Sequence, residues 1–294
     1  MNRTRCGSSI REFLQYYVLV LLHAHRRTIR ELAEEIEARS GENRPFHSGG
    51  VLHIPVWDME RIVYGLADRG WIRLRPHDGQ WGIAKEGRRA RRQMEAQCPD
   101  GQDSKRRGAS QLIARLKEAP RGSYVLDVGT GEGFLARRLA KRGFRVLGID
   151  SGTFDYSKHS VEKAQQEAGL PSKSLEFHRA DVTELSRPGR GFDYVVSSQA
   201  VHCMREQRKC LQAIHRLLKP GGRFLCLDFL VGLEGFLSHG FHCFLAIPRE
   251  EWEEILPAIG FDDIHTQKVK DYLIVDARKG RPHYSGASAS PRKG

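Results

Sequence analysis

The stretch that decides the fold is "VLDVGTGEGFLARRLAKRGFRVLGID", Val125 to Asp150. It begins with an apolar run that predicts a buried strand, passes through three glycines, and continues with a helical pattern before a second apolar run. Strand, turn, helix and strand in this order are typical of a parallel sheet flanked by helices. The glycines raise the question of a nucleotide site, because bare backbone at a helix N-terminus can lie close to a ligand and present amide groups to it.

The glycine turn by itself does not identify the ligand. A dinucleotide fingerprint needs a third glycine where this chain has Phe134. The sequence also contains no G-x-x-x-x-G-K-[ST] loop of the kind that binds nucleoside triphosphates. Both ligand classes are therefore disfavoured, and the ligand has to be inferred from the residues at the ends of the neighbouring strands.

Acidic residues close three successive predicted strands. Asp127 ends the first strand beside the glycines, Asp150 ends the second, and Asp181 follows the third in "ADV". The carboxyl ends of parallel strands meet at one edge of a sheet, where open α/β folds bind ligands. A carboxylate there can accept both ribose hydroxyls of a nucleoside, and another can accept an adenine amino group. Because the turn lacks a basic cluster, a ligand without phosphates is favoured, and a sulfonium would gain from the carboxylates.

From about residue 111 to 278 the chain resembles a class I S-adenosylmethionine-dependent methyltransferase. "VLDVGTGEG" matches the first motif and is followed in the family's order by "GID", "ADV", "FDYVVSS" and "LLKPGGRFL". The resemblance implies an α/β fold with a doubly wound, seven-stranded sheet whose last strand runs antiparallel. It also implies S-adenosylmethionine as the cofactor and methyl transfer as the activity.

The resemblance further implies which residues contact the cofactor. The glycines would flank the methionine portion, beside an acid that orients its amino group, while the second acid would hold the ribose and the third the adenine. In that order the predicted residues are Gly129, Gly131 and Gly133, Asp127, Asp150, and Asp181 with the amide of Val182, together with the neighbouring Thr130, Ser151 and Ser197. We expect no metal ligands.

The segment after the fourth strand bears on the acceptor. "SSQAVHCM" has neither the N-P-P-Y-like motif of nucleobase amino-methyltransferases nor a Pro-Cys pair, which disfavours nucleic-acid bases. His202 lies at the mouth of the predicted site. Its side chain could act as a general base for a hydroxyl or carbon acid, or it could cap the following helix. Methyl transfer from a sulfonium depends largely on alignment, so a side-chain base is dispensable.

An apolar and aromatic segment, "LVGLEGFLSHGFHCFLAI", spans Leu230 to Ile247. In the family that the chain resembles, this insertion often lines the acceptor pocket, which implies a small, apolar or aromatic acceptor. A dimer interface and buried packing are the alternatives. Cys203 and Cys243 would suit a metalloid, but no cysteine follows the first motif, as such enzymes usually have.

Residues 1–98 have a different pattern, with three predicted helices and a hairpin. The order resembles a small winged helix-turn-helix domain. Arg73 and Arg75 on the wing favour phosphate contacts, whereas Asp58 and Glu60 on the recognition helix oppose them. DNA contact therefore stays open beside dimerisation and covering of a substrate pocket.

Length and composition agree with two domains. The chain has 294 residues, and its net charge of +12 is compatible with an acidic partner. Polar residues 99–110 predict a linker, residues 111–280 the methyltransferase domain, and the Gly/Ser/Pro-rich residues 281–294 a disordered tail. Six cysteines without a CxxC pair predict reduced thiols in the cytoplasm, and we expect neither a signal peptide nor a membrane span.

The function predicted from the sequence is a methyltransferase for a small acceptor. The alternative is a transcriptional regulator that binds DNA through the basic wing and senses a cofactor or metabolite with the second domain. RNA or metalloid methylation is less favoured. A homodimer is compatible with the sequence.

Overall fold

The computed structural model describes residues 8–41, 52, 54–96, 104–152, 159–168, 174–186, 189 and 191–280. The predicted disordered tail at 281–294 lies outside the described residues. The helices within them are α1 (Ser8–Ala24), α2 (Ile29–Gly41), α3 (Val56–Asp68), α4 (Lys85–Ala96), α5 (Ser104–Arg115), α6 (Phe134–Lys141), α7 (Ser160–Ala168), α8 (Gln207–Leu217), α9 (Leu233–His239) and α10 (Arg249–Ile259). The strands are β1 (Ile72–Arg75), β2 (Gln80–Ile83), β3 (Tyr124–Val128), β4 (Arg145–Asp150), β5 (Leu175–Arg179), β6 (Phe192–Ser198), β7 (Leu218–Phe229), β8 (Phe261–Val269) and β9 (Tyr272–Lys279).

Seven of the strands form one mixed sheet in the order β5-β4-β3-β6-β7-β9-β8. The first five of these strands run parallel, whereas the final strand, β9, runs antiparallel to both β7 and β8, which confirms the predicted sheet. The strand order reverses beside β3, because the chain leaves β5 at one edge and returns as β6 on the other side of β3. A reversal of this kind opens a crevice at the carboxyl ends of the strands, where ligands bind.

Helices cover both faces of this sheet. Buried side chains of α5, α6 and α7 pack with the sheet in one cluster, and those of α8 and α10 pack in another. Side chains of a strand alternate between the faces, so Val125 belongs to the first cluster while Leu126 and Val128 belong to the second. Asp127 therefore lies in the same row as Val125, on the side of the sheet that α6 covers.

The helix that the sequence predicts from Gln111 begins earlier, at Ser104, so the second half of the predicted linker at 99–110 is helical. Residues 99–103 lie outside the described part of the chain. Ala109, Leu112 and Ile113 recur at helical spacing and are buried against the sheet. This amphipathic period outweighs the polar composition from which the linker was inferred.

The N-terminal part contains the predicted three helices and hairpin. The capping box at the start of α2 is formed, since the amide of Thr28 donates to Glu31 Oε2 over 2.6 Å and the amide of Glu31 donates to Thr28 Oγ1 over 3.3 Å. In the hairpin, the amide of Gln80 donates to Asp78 Oδ1 over 3.0 Å, and Gly79 supplies a left-handed residue with φ +66°. Local sequence signals therefore fix the local structure here.

The N-terminal helices and the insertion after β7 share one apolar core. The ring of Phe13 in α1 lies 4.8 Å from that of Phe236 and 4.5 Å from that of Phe244, and Tyr17 lies 5.3 Å from Phe241. Of the alternatives for Leu230 to Ile247, buried packing within one chain is what these contacts support. No helix of the described residues is long and apolar enough to cross a membrane.

Candidate functional site

The three glycines of the turn differ in what surrounds them. A Cβ on Gly129 would lie 2.2 Å from the Cβ of Ala200, and one on Gly133 would lie 2.5 Å from the ring of Phe177. A Cβ on Gly131 would have no atom within 4 Å, although its φ of +50° also favours glycine. The first and last glycines thus allow close packing inside the protein, while the middle one faces open space at the rim.

The amides of the turn are used to shape it. The amides of Gly129 and Thr130 both donate to the carbonyl of Ile149 over 2.9 Å, and the amide of Gly131 donates to Asp150 Oδ2 over 3.1 Å. These three amides are therefore used within the protein. What the turn offers is a bare surface above Gly131.

Asp127 lies beneath the turn and is almost completely buried. It accepts a 2.8 Å hydrogen bond from Thr130 Oγ1 and another from the amide of Ala136. Burial raises the pKa of Asp127 to about 7, against the lowering effect of both bonds, and the charge of Asp150 adds to the rise. A contact between Asp127 and the amino group of a ligand is thus not supported, because this carboxyl and the buried Thr130 fasten the turn to α6.

Asp150, at the end of β4, is partly exposed at the rim. Its Oδ2 accepts from the amide of Gly131 and its Oδ1 accepts from the amide of Gly152 over 3.0 Å. Each carboxylate oxygen has a second acceptor position, so two neighbouring hydroxyls can still bind. The backbone thus orients this carboxylate before any ligand arrives, with the exposed Ser151 beside it.

The remaining predicted cofactor residues divide into rim and interior. Asp181 follows β5 and is exposed, with its Oδ1 accepting from both the amide and the hydroxyl of Thr183 over 2.7 Å. Val182 turns its side chain into the core, which leaves its backbone as the group at the rim. Ser197 is fully buried and donates to the carbonyl of Val128 over 3.0 Å, so a side-chain contact to the cofactor is not supported. Its hydroxyl links β6 to β3 instead.

His202 lies in a 3-10 turn, Val201–Cys203, just after β6. Its Nδ1 is 2.6 Å from Asp228 Oδ1, and its backbone amide donates to Asp228 Oδ2 over 2.8 Å. Helix α8 begins only at Gln207, so His202 does not cap it. Burial lowers the pKa of His202, but the charge and hydrogen bond of Asp228 outweigh burial and raise it to about 10. His202 is therefore an imidazolium at neutral pH, paired with a buried carboxylate.

The sequence did not predict the four residues that surround His202, which are Asp228, Phe229, His239 and Asp271. The ring of Phe229 lies 4.4 Å from that of His202 on one side and 4.0 Å from that of His239 on the other. His239 Nε2 is 2.8 Å from Asp271 Oδ2. Asp228 carries a signal, since it is an acid near the end of the fifth strand of the sheet in "RFLCLDF", whereas the pairing of residues 239 and 271 follows only from the folded chain.

The described residues contain no group of three or more His, Cys, Asp or Glu side chains that could hold a metal ion. The structure therefore brings together two neighbouring regions, both at the carboxyl ends of the parallel strands. One is the rim formed by Gly131, Asp150 and Asp181, and the other is the buried pair of His202 and Asp228.

Comparison with known proteins finds similarity to methyltransferases. Residues 120–242 match the model of a family described as a methyltransferase domain. The ubiquinone/menaquinone biosynthesis C-methyltransferase UbiE of Rickettsia massiliae (strain Mtu5) is 30% identical over 155 residues, which cover 52% of this chain and 60% of that protein. The S-adenosyl-L-methionine-dependent Diels-Alderase iccD of Talaromyces variabilis is 33% identical over 110 residues, 37% of each chain. The chain thus spans only 60% of the length of the UbiE relatives.

Solved structures share the fold. A putative methyltransferase in complex with the Haloferax volcanii Trm112 methyltransferase activator has a TM-score of 0.52 at 22% identity and covers 62% of this chain and 92% of that one. The CurJ carbon methyltransferase has a TM-score of 0.51 at 14% identity and covers 93% of this chain and 92% of that one. Residues 120–242 are thus similar to methyltransferase domains, and the relatives of this stretch are named as a C-methyltransferase and as an S-adenosyl-L-methionine-dependent enzyme.

Proposed function

We propose that the whole chain is an S-adenosylmethionine-dependent methyltransferase for a small, apolar or aromatic acceptor. The observation that carries the proposal is the rim, where Asp150 and Asp181 end adjacent parallel strands beside the open surface of Gly131. S-adenosylmethionine has the complementary groups, namely a ribose diol, an adenine amino group and a sulfonium cation. The carboxylates accept hydrogen bonds from the first two and attract the third.

The positions of these groups support one pose of the cofactor. Asp150 accepts from both ribose hydroxyls, because its carboxylate is already aligned by two backbone amides. Asp181 and the amide of Val182 hold the adenine, and the methionine portion crosses the surface above Gly131. Asp127, Thr130 and Ser197 act indirectly, by supporting the turn and the two central strands.

His202 acts on the acceptor side in this proposal. As an imidazolium held by Asp228, it already carries a proton at neutral pH. The pair therefore suits an acceptor that has lost its proton, such as a phenolate or an enolate, since the imidazolium attracts the negative oxygen. The acceptor oxygen or carbon would then bond to the methyl carbon while the bond from that carbon to sulfur breaks, which leaves a neutral methylated product and neutral thioether sulfur in S-adenosylhomocysteine.

The acceptor class rests on apolar surroundings and on relatives. Phe229 borders His202 directly, and the aromatic insertion lies next along the chain. The curated relatives named for ubiquinone and menaquinone biosynthesis are C-methyltransferases. A phenolic ring that is methylated at carbon or oxygen is therefore the first acceptor to test.

The N-terminal part, in this proposal, is a winged-helix-like cover for the acceptor side. Its support is the packing of Phe13 and Tyr17 against the insertion. DNA binding is less well supported, because the exposed face of α3 presents Trp57, Glu60 and Tyr64, and Arg61 is the one basic residue of this helix. The exposed aromatic residues would suit self-association better than a phosphate backbone.

Two measurements on the full chain test the proposal. Calorimetric titration with S-adenosylmethionine and S-adenosylhomocysteine is expected to give saturable binding of both. Incubation with methyl-labelled S-adenosylmethionine and a panel of phenols and quinols is expected to label a small-molecule product, whose mass rises by one methylene group. Absence of saturable binding would contradict the proposal. A product of unchanged mass would instead indicate a cyclase, and salt-dependent binding of duplex DNA by the full chain would favour the regulator.

A further inference from the structure

A second buried pair of histidine and aspartate faces the first pair across one phenylalanine ring. His239 ends α9, and its Nε2 lies 2.8 Å from Asp271 Oδ2 in the turn between β8 and β9. The side chains of His239 and Asp271 are only 10% and 9% exposed. The proposed function assigns no part to this buried polar pair, so its position requires another explanation.

Phe229 joins the two pairs. Its ring is stacked on that of His239 at 4.0 Å with an interplanar angle of 18°, and its other neighbour is His202 at 4.4 Å and 35°. Its backbone amide also donates to Asp228 Oδ1 over 2.9 Å, the same oxygen that holds His202 Nδ1. Any tilt of Phe229 would therefore disturb both the ring packing and the carboxylate that orient His202.

The protonation states permit this arrangement. Burial lowers the pKa of His239, the charge of Asp271 opposes burial, and the neighbouring His202 lowers the pKa further. A neutral His239 donates from Nε2 to Asp271 and adds no second positive charge beside the His202 imidazolium. Asp271 in turn is held in place by its backbone, whose carbonyl accepts from the amide of Leu230 over 2.9 Å.

We propose that His239 and Asp271 are positioning residues that hold Phe229 against His202 and thereby fix the orientation of the His202 ring. The hydrogen bond to Asp271 sets the His239 ring, the His239 ring supports one face of Phe229, and Phe229 supports His202. This inference rests on the proposed role of His202, but the arrangement itself can be measured without methyl transfer.

The test uses the full chain with labelled histidine, followed by nuclear magnetic resonance of the His202 ring in the absence of any acceptor. His239→Ala removes the supporting ring, and we expect the His202 ring resonances to shift. Asp271→Asn keeps an acceptor for His239 Nε2, and we expect resonances close to those of the wild type. Lys268→Ala is the matched control, because it breaks another tether of α9, the 2.7 Å ion pair with Glu234, without touching Phe229.

Steady-state kinetics add a second readout wherever an acceptor is known. We expect His239→Ala to lower kcat by about tenfold to a hundredfold with the KM for S-adenosylmethionine unchanged, because a small displacement of a reacting group is costly. His239→Phe keeps the stacked ring, so it serves if the alanine variant does not fold, and it is expected to retain the His202 resonances of the wild type.

Unchanged His202 resonances in a folded His239→Ala variant would overturn the inference, as would an Asp271→Asn variant that shifts them as strongly. A shift in His239→Phe like that expected for alanine would also overturn it. Failure of the proposed function would look different, with shifted resonances in His239→Ala but no methyl transfer by the wild type.

Discussion

Replacing Gly131 by alanine separates ligand binding from folding. Both Gly131 and Gly129 have positive φ values, +50° and +71°, so an alanine costs about 1–2 kcal/mol of backbone strain at either position. At Gly129 the new methyl would also meet the Cβ of Ala200 at 2.2 Å, which adds about 1–3 kcal/mol of overpacking. At Gly131 the methyl would enter space that is empty within 4 Å.

We therefore expect thermal unfolding and calorimetric titration to rank the Gly131→Ala and Gly129→Ala variants in opposite order. We expect Gly131→Ala to unfold only about 2–8 °C below the wild type but to bind S-adenosylmethionine at least about tenfold more weakly, because the methyl occupies the proposed path of the methionine portion. We expect Gly129→Ala to be the less stable variant. Gly79→Ala is the control, since Gly79 also has a positive φ, +66°, and open surroundings in the hairpin. Wild-type affinity in Gly131→Ala would refute the pose.

Three further predictions concern stability. The pKa of Asp127 rises from 3.8 to about 7 on folding, so the ligand-free protein should lose up to about 4 kcal/mol of unfolding free energy as pH rises from about 4 to about 7. In Asp127→Asn the unfolding free energy should change less across that pH range. The raised pKa of His202 implies that its pair with Asp228 stabilises the fold fully below about pH 6.5, and that this stabilisation is lost as pH rises through about 10. Asp228→Asn should therefore abolish the decline of the unfolding temperature at alkaline pH. An equal decline in both proteins would count against the pair. Phe13→Ala should cost about 3–5 kcal/mol by denaturant unfolding and should lower the stability of the whole chain, whereas an unchanged second transition would show that the two parts do not share a core.

The sheet was predictable because its signals are local. Each of the parallel strands β3, β4 and β6 is a short apolar run, and each strand end carries its motif, so order along the chain implied order in the fold. The start of α5 was not predictable in the same way. Its buried positions are few and begin with the small Ala109, so composition concealed the helical period.

The rim was predictable in part. Asp150 and Asp181 stand where the motifs put them, but the sequence could not tell which side of the sheet Asp127 faces. The alternation of β3 turns Asp127 under the turn, where burial raises its pKa. For the same reason the sequence does not show that Ser197 faces the interior, where its hydroxyl donates to a carbonyl of the neighbouring strand.

The acceptor side depends on contacts between distant parts of the chain. His202 was found from its place after the fourth strand of the sheet, but its partner Asp228 lies 26 residues away along the sequence. His239 and Asp271 are 32 residues apart and meet only because the insertion folds back on the turn between β8 and β9. The aromatic segment predicted for the acceptor packs largely on α1, which no periodicity within either segment could reveal.

The central claim is that the rim acids bind S-adenosylmethionine, and calorimetric titration of Asp150→Asn against the wild type tests it most directly. Asparagine keeps the size of the side chain and one acceptor oxygen, while the charge and the second acceptor are lost. We predict a loss of affinity of about 10- to 150-fold, equivalent to about 1.5–3 kcal/mol for hydrogen bonds to a charged group. Thermal unfolding of the same variant checks that it remains folded. Equal affinity of a folded Asp150→Asn and the wild type would contradict the claim.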